Sequence, residues 1–323
     1  MKTLALALLW WTAVLAAEET SPWQIGKDAV LAPGDPGSWD DFEIRGAALL
    51  KFENRWLMLF QGVALSEDES TTGLGIATST DGVTWKKSSD EPVCTVAPNE
   101  EIVAPSLVRW SGGFRAAYVV RTFSKPDEYP EDVPPRVEVM SSDEGSIWQR
   151  IGTIKGLSFA MPDDAYLRLC LYADSRTLHL WWIGLNTDTK QSVLCHSVSR
   201  DGSTWTKPNM QSASEIDSRL IVGVRVYPSG SYYILVYVVL DGPNRAWVVT
   251  KISKDAHSWE AKGPPEFQLP DSTKIVMPEM VFTAEGARLF YSAPKFPDPS
   301  GQAANRSGGV LATAFCPKSS YGK

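Results

Sequence analysis

The stretch Ser79-Thr80-Asp81-Gly82-Val83-Thr84-Trp85 decides the fold, because it returns three times along the chain. It comes back as Ser141-Ser142-Asp143-Glu144-Gly145-Ser146-Ile147-Trp148, as Ser199-Arg200-Asp201-Gly202-Ser203-Thr204-Trp205 and as Ser253-Lys254-Asp255-Ala256-His257-Ser258-Trp259. Chance supplies one such match readily and four very poorly, so the chain carries an internal repeat. Each copy reads as a tight turn leading into a strand. The Ser and Asp side chains bond nearby backbone N–H groups, Gly supplies a positive φ, and the Trp packs beneath. The Asp is therefore a turn organiser before it is a catalyst. The pair Gly73-Leu74-Gly75, standing inside a strand pattern, is weak evidence for phosphate binding, and the sequence holds no Walker-type loop.

Between the turns the sequence alternates β-rich runs with Gly, Pro and Asn punctuation. Three runs fall in each repeat: 47–51, 56–61 and 73–78; 106–109, 114–121 and 136–141; 166–172, 178–185 and 192–197; 220–227, 232–240 and 246–252; 280–283, 287–292 and 309–315. Three strands plus a fourth that follows the Trp make a four-stranded meander, the unit of a β-propeller. The fifth repeat lacks a Trp strand of its own. Ser21-Pro22-Trp23-Gln24-Ile25-Gly26, at the other end of the chain, has the form of Ser146-Ile147-Trp148-Gln149-Arg150-Ile151-Gly152. An N-terminal strand completing the last blade closes the ring and removes two open sheet edges. The expected fold is all-β: a five-bladed propeller over residues 18–323, counted by Trp23, Trp85, Trp148, Trp205 and Trp259.

Composition agrees with a globular chain of that kind. Of 323 residues, 43% are hydrophobic and 21% charged, which excludes a disordered or fibrous protein. The net charge of −7 argues against nucleic acid or anionic lipid as partner. Three histidines make a zinc enzyme or a His-based triad a poor expectation. Lys2, an apolar run over 4–17 and small residues before Glu18-Glu19 read as a secretory signal, residues 1–17, and imply a secreted or periplasmic protein. That run is shorter than the roughly 20 residues a membrane-spanning helix needs.

Four cysteines in an exported chain invite disulfides. Cys170 and Cys195 fall on first and third strands of one blade, roughly 9–10 Å apart, beyond disulfide reach. They are expected reduced. Nothing in the sequence requires Cys94 and Cys316 to meet. His179 and His196 fall on neighbouring strands and can touch, with ordinary strand packing as the plainer account. Asn305-Arg306-Ser307 is an acceptor for N-glycosylation if the host glycosylates such sites.

The run from Val30-Leu31-Ala32-Pro33-Gly34 through Trp39-Asp40, the apolar strand 47–60, and Gly73 to Trp85 with Pro92-Val93 resembles glycoside hydrolases of families 32 and 43. The Ser-x-Asp-x-Gly-x-x-Trp form at Ser141 to Trp148 is similar to the Asp-box of sialidases, which usually have six blades. The resemblance implies a five-bladed propeller that hydrolyses glycosidic bonds in an oligosaccharide or polysaccharide. In families 32 and 43 a catalytic Asp stands just before a Pro at the start of the blade-one inner strand; here Gly46-Ala47 occupies that place. The blade-three acid is matched by Asp164. The blade-four acid has no clean counterpart, with Glu215 and Asp217 nearby. Asp40 belongs to the Trp-Asp element of the same pattern. A sialidase would instead require Arg45, Arg219 and one of Arg121 or Arg168 to converge on a carboxylate.

The repeat offers an independent register. Aligning inner strands places Glu43, Glu101, Asp163, Asp217 and Lys274 in one column, a charged ring where the strands enter the central channel. Glycoside hydrolysis needs two carboxyls in unlike environments, one protonated and one ionised, and like-charge crowding pushes such values apart. Glu43, Asp164 and Asp217 are the candidate acid/base set. Asp40, Arg45, Glu101, Asp163, Arg219 and Lys274 are the candidate substrate-binding residues, and solvated loop charges are the alternative account of them. The two registers conflict, because three residues along an extended strand reverse its facing side. Both sets face inward only if a bend intervenes. No cofactor motif is present, though a ring axis is also where a structural ion can sit. A binding propeller that kept the fold and lost the chemistry is the rival reading, and Gly46 favours it.

Overall fold

The computed structural model describes residues 21–66, 70–122, 135–155, 168–186, 191–242, 245–269, 278–294 and 308–321. Among the described residues the strands form five antiparallel sheets. Blade one holds Glu43–Phe52, Arg55–Leu65, Ser70–Ser79 and Lys86–Lys87, with Cys94–Thr95 also paired to its third strand. Blade two holds Glu100–Trp110, Gly113–Thr122, Arg136–Ser142 and Gln149–Thr153. Blade three holds Leu169–Ala173, Leu178–Asn186, Gln191–Ser199 and Asn209–Ser212; blade four holds Leu220–Ser229, Tyr232–Leu240, Ala246–Ser253 and Phe267–Gln268. Glu279–Phe282, Gly286–Pro294 and Gly309–Pro317 form blade five, whose outermost strand is Gln24–Ile25. Among the described residues helix is confined to two single 3₁₀ turns, Ala213–Glu215 and Lys318–Ser320.

The closing strand pairs as the repeat requires: Gln24 lies opposite Phe315 and Ile25 opposite Ala314. Trp23 anchors it. Its indole Nε1 donates to the Pro265 carbonyl at 2.9 Å, and its ring meets Phe267 edge-on at 5.2 Å, so the blade-five closure is pinned to blade four. The inner strands stand in a ring, with blade one against two, two against three, three against four, and five back against one. Middle strands are covered on both faces by neighbouring blades. Val236, Tyr237, Val238 and Val239 are consecutive and all fully buried. A continuous apolar run is what such a strand needs, in place of polar–apolar alternation.

Three of the four repeated turns are built as their Ser and Asp side chains dictate, while in the blade-two copy Ser142 Oγ accepts the Gly145 N–H at 2.8 Å and Asp143 takes no such part. Asp81 Oδ1 accepts the N–H groups of Val83 and Thr84, both at 2.7 Å, while Ser79 Oγ accepts from Gly82 at 2.9 Å. Asp201 and Asp255 repeat the arrangement. Those backbone donors hold all three carboxyls far below the usual range. The turn glycines Gly82, Gly145 and Gly202 have φ of +72°, +84° and +76°. Trp85 does more than underlie its own turn. It meets Phe290 of blade five, just as Trp23 meets Phe267 of blade four, so these two rings fill the seams to the preceding blades.

Gly73 and Gly75 have a packing reason. Together with Gly62 on the adjacent strand they make room for the Trp39 indole; a Cβ at Gly62 would stand 2.3 Å from it. All four cysteines are free thiols, the pair Cys94 and Cys316 included. The Cys170 thiol instead accepts the Val226 N–H at 3.3 Å, across the seam between blades three and four.

Candidate functional site at the propeller axis and mouth

The inner strand of each blade has one edge paired and one edge facing the axis, where carbonyls must find other donors. Arg225 supplies them. It stands in the blade-four inner strand, 2% exposed. Its guanidinium donates to the Ala47 carbonyl of blade one at 3.2 Å, to Pro105 of blade two at 2.9 Å and to Leu169 of blade three at 3.5 Å. Its Nε lies 3.1 Å from Glu279 Oε2 of blade five. One side chain thus touches the inner strands of the four other blades, which places it on the axis. Tyr227 donates its hydroxyl to Glu279 Oε1 at 2.8 Å and accepts the Met280 N–H at 3.2 Å, joining blades four and five.

Burial raises the Glu279 carboxyl against the pull of Arg225, and among the described residues it is the one carboxylate displaced upward. The same burial drives the Tyr227 phenol well above its usual value. Arg225 and Glu279 were not among the residues expected to matter. Each nevertheless left a mark in the sequence: Arg225 interrupts the otherwise apolar strand Ile221-Val222-Gly223-Val224-Arg225-Val226, and Glu279 directly follows Pro278 at the start of an inner strand.

The bend required to reconcile the two registers is present. Pairing of the first two strands slips by one residue between Arg45 and Ala47, where Gly46 has φ +26°. Blade two slips between Val103 and Ser106, with Ala104 at φ +51°, and blade four between Ile221 and Gly223. These are quasi-equivalent β-bulges, and a bulge resets which residues face a given side. Gly46 takes a left-handed backbone at the blade-one bulge, as Ala104 does in blade two, whereas no residue of the blade-four bulge has a positive φ.

Beyond the bulges, at the starts of the inner strands, lie the charges of the expected ring. Arg45 donates through Nε to Glu43 at 2.7 Å and through a terminal nitrogen to Glu101 at 2.8 Å, bridging blades one and two. Arg121 stands 3.6 Å from the other Glu101 oxygen. In blade four, Arg219 holds Asp217 at 2.9 Å and Glu266 at 2.8 Å, and Tyr237 donates its hydroxyl to Asp217 at 2.9 Å. Burial alone would raise the Asp217 carboxyl, but Arg219, its backbone N–H and Tyr237 outweigh that and bring it down to about 2. Glu43 and Glu101 therefore share one cluster, and Asp217 belongs to a second; no described ion pair joins the two. Asp40 goes elsewhere: it is 2% exposed and paired with Lys87 and Ser38 Oγ in blade one. Asp163, Asp164 and Lys274 lie outside the described residues.

Comparison with known proteins follows the fold. No family model matches the chain and no curated protein is similar to it. Solved structures match over 88–92% of its length. An N-acetylgalactosamine deacetylase from F. plautii, solved with blood group B trisaccharide, superposes with a TM-score of 0.65 at 14% identity, over 91% of this chain and 96% of that one. The fold is a five-bladed propeller, and solved glycoside hydrolases share it. Zg3597, a family 117 glycoside hydrolase of Zobellia galactanivorans, matches at TM-score 0.61 and 15% identity, over 92% of this chain and 90% of its own. The catalytic domain of a Coprinopsis cinerea family 62 α-L-arabinofuranosidase matches at 0.56 and 14%, over 91% and 96%. At these identities the likeness is one of fold. The expected architecture and the resemblance to propeller glycosidases stand at that level.

Proposed function

We propose that the protein is an exported, glycan-active protein of the glycoside-hydrolase type, taking an oligosaccharide or polysaccharide at the end of the propeller where the inner strands begin. The observation that carries this reading is the arrangement of Glu43, Arg45 and Glu101 in one cluster and Asp217 with Arg219 in another, all just ahead of the inner-strand bulges. In hydrolysis an acid protonates the leaving glycosidic oxygen while an ionised carboxylate attacks the anomeric carbon or activates the water that does. Asp217, held ionised by Arg219 and Tyr237, suits the second role. Asp164 is the candidate for the acid, and Glu43 completes the set.

A second reading is favoured by one observation: Gly46, which carries no acid, occupies the place of the family's blade-one acid, at the blade-one bulge. Glycan binding without turnover is that reading. A sialidase-like site is disfavoured, because Arg45 and Arg219 each already carry two carboxylates. No helix among the described residues is long and apolar enough to cross a membrane, and the signal-like N-terminus supports a secreted or periplasmic location.

The test is a screen of the pure protein on aryl arabinosides, xylosides, fructosides and sialosides and on polysaccharides, with glycan binding measured in parallel. Turnover lost in Asp164→Asn and Asp217→Asn but kept in Asp81→Asn supports the hydrolase. Binding without turnover selects the second reading. Neither binding nor turnover on any glycan overturns both.

A further inference from the structure

All three histidines of the chain, His179, His196 and His257, meet at the seam between blades three and four. Elsewhere the corresponding position is apolar. The turn glycine of blade two, Gly145, faces Leu57 of blade one and Phe114, and that of blade three, Gly202, faces Trp110 of blade two and Leu178. At the fourth turn Ala256 and His257 instead close over Trp181, Leu194, His196, Asn209 and Gln211. The void between them is about 10 Å³, room for a single water-sized sphere.

The polar groups there are oriented by their partners. Asp174 accepts from His179 Nε2 at 3.2 Å, which fixes the proton on that nitrogen and leaves Nδ1 as an acceptor. His196 Nε2, 3.0 Å from that Nδ1, is then the donor, and the remaining lone pair of His196 sits on its own Nδ1. A carboxylate hydrogen-bonded behind a metal-bound imidazole raises its basicity, and here Asp174 acts on His196 through His179. Stacking of the His196 ring on Trp181, with centroids 3.9 Å apart, fixes the plane. Gln211 donates its amide nitrogen to the His257 carbonyl at 2.8 Å, and its Oε1 is buried with no hydrogen-bond partner. Among the described residues no three of His, Cys, Asp and Glu are grouped to hold a metal, so an amide oxygen has to complete any such set.

We propose that this seam binds one borderline divalent ion of the Zn²⁺ type, held by the imidazoles of His196 and His257 and by Gln211 Oε1. Imidazole nitrogen with one oxygen is a donor set suited to zinc, copper or nickel and poor for calcium or magnesium. His257 is exposed and gives the ion its route in from solvent. His179 is a positioning residue, and Asp174 acts behind it. The ion would tie the turn of blade four to the face of blade three.

The experiment uses full-length, untagged, chelator-stripped protein titrated with ZnCl₂ by calorimetry and with CoCl₂ by visible absorption. One ion per chain and a d–d band in the cobalt form are expected. His196→Gln and His257→Gln each weaken binding by tenfold or more, His179→Gln by about tenfold, and Lys254→Gln leaves it unchanged. Equal affinity in the wild type and in His257→Gln overturns the proposal, as does the absence of any band or heat, which would mean a buried water only. His257 is exposed, so its variant remains folded and decides the matter even if His196→Gln does not fold.

Discussion

Arg225 and Glu279 lie side by side on the propeller axis, Nε to Oε2 at 3.1 Å, one from blade four and the other from blade five. Both are almost wholly buried. Removing one partner of such a pair strands an uncompensated charge, and here it also strands the inner-edge carbonyls of Ala47 and Pro105. Arg225→Met is expected to cost about 3–5 kcal/mol in denaturant unfolding. Adding Glu279→Gln should recover part of that loss, and a double-mutant cycle isolates the pair. A stability equal to wild type in the single variant would show that the guanidinium does not hold the axis.

The Asp217 carboxyl is ordinarily at 3.8 and stands at about 2 in the folded protein. A depressed carboxylate stabilises the fold fully above its unfolded value, and that contribution is lost as pH falls through the folded one. The window is therefore pH 3.8 down to about 2. Acid unfolding of Asp217→Asn should lack this increment, with stability at neutral pH lowered toward that of the acidified wild type. Parallel curves for the two proteins would rule out the ion pair with Arg219 as its source.

Ring closure rests on Trp23, 5% exposed between blades five and four. Trp23→Ala deletes the Pro265 hydrogen bond and leaves a cavity against Phe267. A loss of about 3–5 kcal/mol is expected by urea denaturation, since large aromatic truncations in cores cost that much. Faster proteolysis at the N-terminal strand should accompany it.

Ala256 occupies the turn position that is Gly82, Gly145 and Gly202 in the other copies, at φ +61°. An L residue is strained there and glycine is not. Ala256→Gly is expected to raise stability by roughly 0.5–1 kcal/mol, read as an upward shift of the denaturation midpoint. The reverse change, Gly82→Ala, should destabilise, because a Cβ there also meets the Trp56 ring at 3.0 Å.

Much of the architecture was legible in the amino-acid order because it is local. Ser79, Asp81 and Gly82 bond one another within four residues, so the turn they make is written wherever the signature recurs. The closing role of Trp23 could be read from its likeness to Trp148. Glu43 and Glu101 were found by aligning repeats, since quasi-equivalent strand starts must converge on one axis. What escaped was what depends on the seam between blades. Gly73 and Gly75 have their reason in Trp39, more than thirty residues away in sequence, and the bulges that let two registers coexist lie at different residue types, Gly46, Ala104 and Val222.

The amino-acid sequence by itself determined the number of blades, the position of the four repeated turns and the closure of the ring, because each follows from hydrogen bonds and periodicity between near neighbours. Only the tertiary structure decided which charges stay at the mouth, which are consumed in pairs and which single guanidinium occupies the axis. Those outcomes depend on distances between strands that are remote along the chain, and the energy of a charge is set by what surrounds it after burial rather than by what precedes it in the polypeptide.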